Sequence, residues 1–188
     1  MNVCTSICFK NAYHGSTHGA LSVMGDENLK NNFRPLLPGI KTLEFNNEND
    51  LEQISSNTAA VIVELVQGEG GVIKANKSFL HELRRKCDEN NCLLIFDEIQ
   101  TGFGRCGTLF AFEQFDVVPD ILLLAKAMGG GLPIGAFVAS NDLMKQLSFN
   151  PALGHINTFG GNALCVEAAR ATFELILEQK LFLRAREI

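Results

Sequence analysis

Two ionisable side chains stand out because each closes an apolar run. Asp97 follows Cys92-Leu93-Leu94-Ile95-Phe96, and Lys126 follows Ile121-Leu122-Leu123-Leu124-Ala125. Such runs read as buried strands. The C-terminal ends of strands are where open α/β sheets present ligands. A carboxylate and an amine delivered together at such a place suit pyridoxal phosphate (PLP). The amine forms a Schiff base, and the carboxylate keeps a proton on the pyridine nitrogen so that the ring withdraws electrons. A lysine directly after a buried strand is expected to be desolvated, which lowers its amine pKa and makes it a usable nucleophile. The plain alternatives are a lysine stem snorkelling from a strand end and an aspartate capping the next turn. Gly129, Gly130 and Gly131 let backbone pass close to a ligand.

The elements that must position these groups alternate between strand and helix. A strand is expected over residues 6–11, followed by the polar loop Tyr13-His14-Gly15-Ser16-Thr17-His18-Gly19. Residues 26–46 lack periodicity and carry Pro35 and Pro38, which reads as an irregular excursion. Asn49 or Asp50 is expected to cap a short helix to about residue 56. A buried strand follows over 59–66, ending in Gln67-Gly68-Glu69-Gly70-Gly71. Residues 77–90 form an amphipathic helix with Phe79, Leu80, Leu83 and Cys87 on one face. Further strands are expected at 92–96, 121–125 and 134–139, and a long helix at 163–180. Near-continuous apolar strands separated by crossovers predict an α/β fold, with a mostly parallel sheet and helices on both faces.

Composition excludes several classes. The 188 residues are 46% hydrophobic and 20% charged, with a net charge of −5. The basic residues are dispersed apart from Arg84-Arg85-Lys86, which is no nucleic-acid footprint. No stretch approaches the roughly 18 apolar residues of a membrane span. The start, Met1-Asn2-Val3-Cys4-Thr5-Ser6, has no basic region before an apolar core, so no secretory signal is expected. Six scattered cysteines read as reduced thiols and imply the cytoplasm. Cys4, Cys8, His14 and His18 imitate a zinc pattern, but the middle spacing leaves no room for a fold between ligand pairs. Cys4 and Cys8 are expected to share one strand face instead. Gly102-Phe103-Gly104-Arg105-Cys106-Gly107 satisfies G-x-G-x-x-G, yet a dinucleotide site needs that motif to join a strand directly to a helix. Asp97 to Thr101 intervenes, so a nicotinamide site is not expected.

The longest coherent signal runs through Asp97-Glu98-Ile99-Gln100-Thr101-Gly102-Phe103-Gly104-Arg105, Pro119-Asp120 and Ala125-Lys126-Ala127, with Lys126 standing 29 residues after Asp97. Val63-Glu64, Gln67-Gly68-Glu69-Gly70-Gly71 and Asn157-Thr158-Phe159-Gly160-Gly161-Asn162 add to it. On these residues the chain resembles the central portion of a class III PLP-dependent aminotransferase of the ornithine and acetylornithine type. The resemblance implies a fold type I large domain in which Lys126 carries the cofactor and shuttles a proton, while Asp97 pairs with the ring nitrogen. It implies that Gln100 approaches the phenolic oxygen, Tyr13 stacks on the ring and His14 lies beside them. It places Thr158 on the phosphate, in this family usually that of the neighbouring subunit of a homodimer. Glu64, Glu69 and Asn157 fall on the substrate side, with Glu69 expected to pair with an arginine of the C-terminal domain. The implied reaction moves an ω- or α-amino group to an oxo acid such as 2-oxoglutarate.

Two departures qualify the resemblance. The family loop usually reads His-Gly-Arg-Thr, whereas this chain has His14-Gly15-Ser16-Thr17, and serine cannot hold a carboxylate in a bidentate pair. Residues 1–188 are also expected to be an incomplete large domain, without the phosphate-cradling N-terminal turn or the C-terminal small domain. The alternatives are a glutamate-semialdehyde aminomutase-like enzyme, opposed by Gln100 where that branch has methionine, and a truncated non-catalytic fragment.

Overall fold

In a computed structural model of the chain, residues 4–149, 152 and 156–188 are described. They fall into two compact units. The first comprises the chain up to Asp97 together with Phe112–Pro119, and the second comprises Glu98–Ala111 and Asp120–Ile188.

The first unit is built on four parallel strands in the order β2-β1-β3-β6. These are β1 (Thr5–Phe9), β2 (Ile40–Leu43), β3 (Thr58–Glu64) and β6 (Leu93–Asp97), with a small antiparallel pair, β4 (Val66–Gln67) and β5 (Ile73–Lys74), between them in sequence. Helices α1 (His18–Ser22) and α2 (Glu27–Lys30) are short, and α3 (Lys77–Glu89) carries the long amphipathic pattern. Its face buries Phe79, Leu80, Leu83 and Cys87 completely. Phe79 meets Phe9 edge-to-face at 5.4 Å and Phe45 at 5.7 Å, which pins α3 to β1. The helix ends at Asn90, and Asn91 takes the left-handed conformation that returns the chain to β6.

Three expectations change here. Residues 26–46, read as irregular, contain α2 and the strand β2, of which only Leu43 is buried. Edge position leaves Lys41 and Thr42 exposed, which breaks the apolar run that strand prediction relies on. The capped helix near residue 50 is a short 3-10 helix, Glu48–Gln53, and its cap is Asn47, whose side chain accepts from Asn49 N. Cys4 and Cys8 do not share a strand face: Cys8 is buried in β1, whereas Cys4 precedes the strand and is exposed. The parallel arrangement itself matches the expectation. However, Leu93 and Ile95 of β6 are only half-buried, so side chains that alternate across the sheet are not covered equally on its two faces.

The second unit holds β7 (Ile121–Leu124) and β8 (Ala136–Ala139), paired antiparallel with Ile121 opposite Ala139 and Leu124 opposite Ala136. Helix α4 (Asn141–Gln146) is capped by Ser140, which accepts from Leu143 N. Helix α5 (Ala163–Glu178) is capped by Asn162, which accepts from Cys165 N, and α6 (Leu181–Arg184) follows. Phe103 joins this unit's core, edge-to-face with Phe110 and Phe173. Residues 102–107 form turns, with Gly104 and Gly107 at positive φ, rather than the strand-to-helix junction of a dinucleotide site. Among the described residues no helix is long and apolar enough to cross a membrane.

Candidate active site

Parallel strands end on the same edge of a sheet, and in the first unit that edge gathers the acidic part of the site. Asp97 is the last residue of β6, Glu64 the last of β3, and the two are register partners. Tyr13 and His14 follow β1. His14 Nδ1 lies 2.8 Å from Asp97 Oδ2, with both side chains almost wholly buried. An ionised carboxylate only accepts, so Nδ1 carries the proton in this contact. The other ring nitrogen, Nε2, is buried without a hydrogen-bond partner among the described residues. His14 thus fixes the orientation of a buried carboxylate at the end of β6.

The resemblance places Glu64 on the substrate side, with a solvated loop carboxylate as the plain alternative. It is buried, its Oε2 accepts from Tyr13 N at 3.0 Å, and its Oε1 accepts from Gly68 N at 3.4 Å. Burial pushes its carboxyl up, partly opposed by the Tyr13 amide and by His14, while Asp97 adds to the rise. Its visible job is to hold the backbone that carries Tyr13 and His14. Glu69 is exposed and lines a cavity of about 320 Å³ with Asn11, Tyr13 and Asp26. Asp26 escaped sequence reasoning because it sits in the segment read as irregular. A larger cavity of about 660 Å³, lined by Glu27, Lys30, Arg34 and Pro38 among others, contains none of the expected site residues.

In the second unit Lys126 follows β7 and stands at the start of a short 3-10 turn, Lys126–Gly129. Its side chain is exposed, where the sequence predicts a desolvated one. The strand stops at Leu124, and Ala125 separates it from the lysine. What the lysine has instead is a partner: Nζ donates to Gln100 Oε1 at 2.9 Å. Lys126 also holds φ at +46°, a left-handed conformation rare for a residue with a side chain. Gly130 closes the turn at φ +57°, where a Cβ would lie 2.1 Å from Thr172 Oγ1 of α5. Asn157 and Thr158 are exposed in the turn before α5. Among the described residues no group of His, Cys, Asp or Glu side chains could hold a metal. Cys8 Sγ instead meets Thr42 Oγ1 at 3.5 Å, and burial raises its pKa.

The Aminotransferase class-III family model matches residues 4–188. The chain belongs to the class III aminotransferases. It is 51% identical over 176 residues to an acetylornithine aminotransferase of Clostridium acetobutylicum, covering 93% of this chain and 45% of that protein. It is 47% identical over 173 residues to an acetylornithine aminotransferase of Methanocaldococcus jannaschii, covering 92% and 43%. The solved ornithine aminotransferase of Toxoplasma gondii, which holds PLP at partial occupancy in its active site, superposes with a TM-score of 0.89 at 38% identity. That match covers 96% of this chain and 42% of the other. The fold is therefore that of fold type I aminotransferases, and the chain spans under half the length of the curated relatives it matches.

Taken unit by unit, the first offers a buried carboxylate backed by a histidine and the second an amine paired with a glutamine amide, both group types that PLP requires.

Proposed function

We propose that residues 1–188 are part of the PLP-binding large domain of an aminotransferase. Its reaction moves an ω- or α-amino group from an amino acid to an oxo acid such as 2-oxoglutarate. The observation that carries this reading is the buried Asp97 carboxylate, braced by His14 at 2.8 Å at a strand's C-terminal end. Family membership over residues 4–188 supports it.

When bound, PLP supplies a ring that withdraws electrons from the substrate carbon. Lys126 would hold the cofactor through its Nζ and would take and return a proton at the same atom. Gln100 directs that amine through its Oε1. Asp97 provides the negative charge that keeps a ring nitrogen protonated, and His14 donates from Nδ1 to fix the carboxylate's orientation. Tyr13 offers a ring face for stacking, and the Thr158 hydroxyl is a phosphate donor. Glu69 and Asn157 face the substrate, and Glu64 contributes by holding the Tyr13 backbone. Ser16, exposed in the loop after Tyr13, offers no charge for a carboxylate, so the amino donor is gripped elsewhere.

The active form is proposed to be a homodimer with shared sites, located in the cytoplasm. The test is glutamate formation from 2-oxoglutarate with PLP and ornithine or N-acetylornithine as donor. Turnover that disappears in Lys126→Ala supports the reading. Turnover that survives in that variant, or none with any amino donor, overturns it.

A further inference from the structure

The Glu98 side chain is wholly buried, and the reaction outlined above does not use it. It opens the stretch Glu98–Ala111 of the second unit. Its Oε2 accepts from Thr101 Oγ1 at 3.1 Å and from Ala111 N at 2.7 Å, so one oxygen ties the first turn of the loop to its last residue. The backbone is anchored as well. Glu98 N donates to Leu123 O of β7 at 3.0 Å, and Glu98 O accepts from Gly102 N at 3.0 Å. A Cβ on Gly102 would stand 2.8 Å from that carbonyl oxygen, so the turn closes this tightly only over glycine.

Gln100 sits inside the turn 98–102 and accepts from Lys126 Nζ at 2.9 Å. Both of these side chains are exposed, so the turn rather than core packing sets where the Gln100 amide stands. A buried carboxylate is an expensive way to close a loop unless its position matters.

We propose that Glu98 is a positioning residue for the reactive amine: its buried carboxylate locks the 98–102 turn so that Gln100 presents an acceptor to Lys126 Nζ. This deepens, and rests on, the reading of Lys126 as the cofactor-bearing lysine. The Gln100 oxygen accepts from the amine and fixes the direction of its N–H bonds. Loosening the turn frees the amine from that partner, so that it reacts faster with an electrophile.

Competitive acetylation of the folded protein with acetic anhydride at one fixed pH, read peptide by peptide by mass spectrometry, follows Lys126 alone, with Lys145 as internal reference. Glu98→Leu keeps the approximate size and removes the oxygen that accepts from Thr101 and Ala111. Glu98→Leu and Gln100→Ala are each expected to raise Lys126 labelling about two- to five-fold, the size of a solvent-exposed charged hydrogen bond. The double variant is expected to equal the single variants, because both remove one interaction. Additive effects, unchanged labelling or slower labelling overturn the proposal. If Glu98→Leu does not fold, Thr101→Val removes one donor to Oε2 and carries the same cycle with the same criteria. No cofactor is added, so a failure of PLP binding, which would overturn the proposed function, is read separately from this result.

Discussion

Asp97 and Glu64 are register partners with different duties, and substitution separates them. Asp97→Asn keeps the size and removes the charge that a protonated ring requires. Amino transfer by the PLP-loaded protein is expected to fall by about 10²- to 10³-fold, the usual loss when one preorganised electrostatic contact goes. Stopped-flow measurement of the half-reaction checks this, and a change under a factor of two would contradict the role. Glu64 makes a statement about pH instead. Burial raises its carboxyl above 4.5, so the folded chain keeps a proton there that the unfolded chain has lost. Its contribution to stability is fully present below the unfolded value and is lost as the pH rises through the folded value. Urea unfolding of wild type and Glu64→Gln should therefore show wild type losing ground as pH rises from about 4.5, by at most about 1.4 kcal/mol per pH unit. A difference that is flat with pH would contradict it. The identities of Asp97 and Lys126 were legible from the runs that precede them. The His14–Asp97 contact was not, because nothing in sequence spacing brings residues 83 positions apart together.

At the scale of elements, the turn after β7 carries the most informative strain. Lys126 holds a left-handed backbone, and Gly130 lies against α5 where any side chain would strike Thr172. Lys126→Gly should be more stable than Lys126→Ala by about 0.5–1 kcal/mol, since only glycine adopts that φ without penalty. Gly130→Ala should cost about 2–3 kcal/mol through overpacking and its positive φ, and adding Thr172→Ala should recover part of the loss. Thermal unfolding of the four variants measures both effects, and equal stability across them would show that the turn is not tightly held. Helices α3 and α5 and strands β6 and β7 were readable because their apolar spacing is strong. Strand β2 was hidden, because at the sheet edge only Leu43 needs to be apolar. The exposure of Lys126 was hidden for a related reason: an apolar run reports that a strand is buried but not where it ends.

For the molecule as a whole, the α/β class and the mostly parallel sheet followed from strand composition, and family membership followed from the long Asp97–Lys126 signature. The division into two units was not visible in sequence, since no linker of distinctive composition separates them and the chain passes between them at Asp97–Glu98. Nor did sequence foresee that Glu64 is buried against backbone, or that Glu98 ties the loop beside Gln100. The proposed function requires that one cofactor engage Lys126 and depend on Asp97. Incubating the protein with PLP, fixing the product with borohydride and locating the pyridoxyl group by peptide mass spectrometry tests this. A single modified residue, Lys126, is expected, with the modification lost in Lys126→Ala and needing more PLP in Asp97→Asn. Pyridoxyl groups spread over surface lysines with Lys126 unmodified, or a yield at Lys126 unaffected by Asp97→Asn, would contradict it.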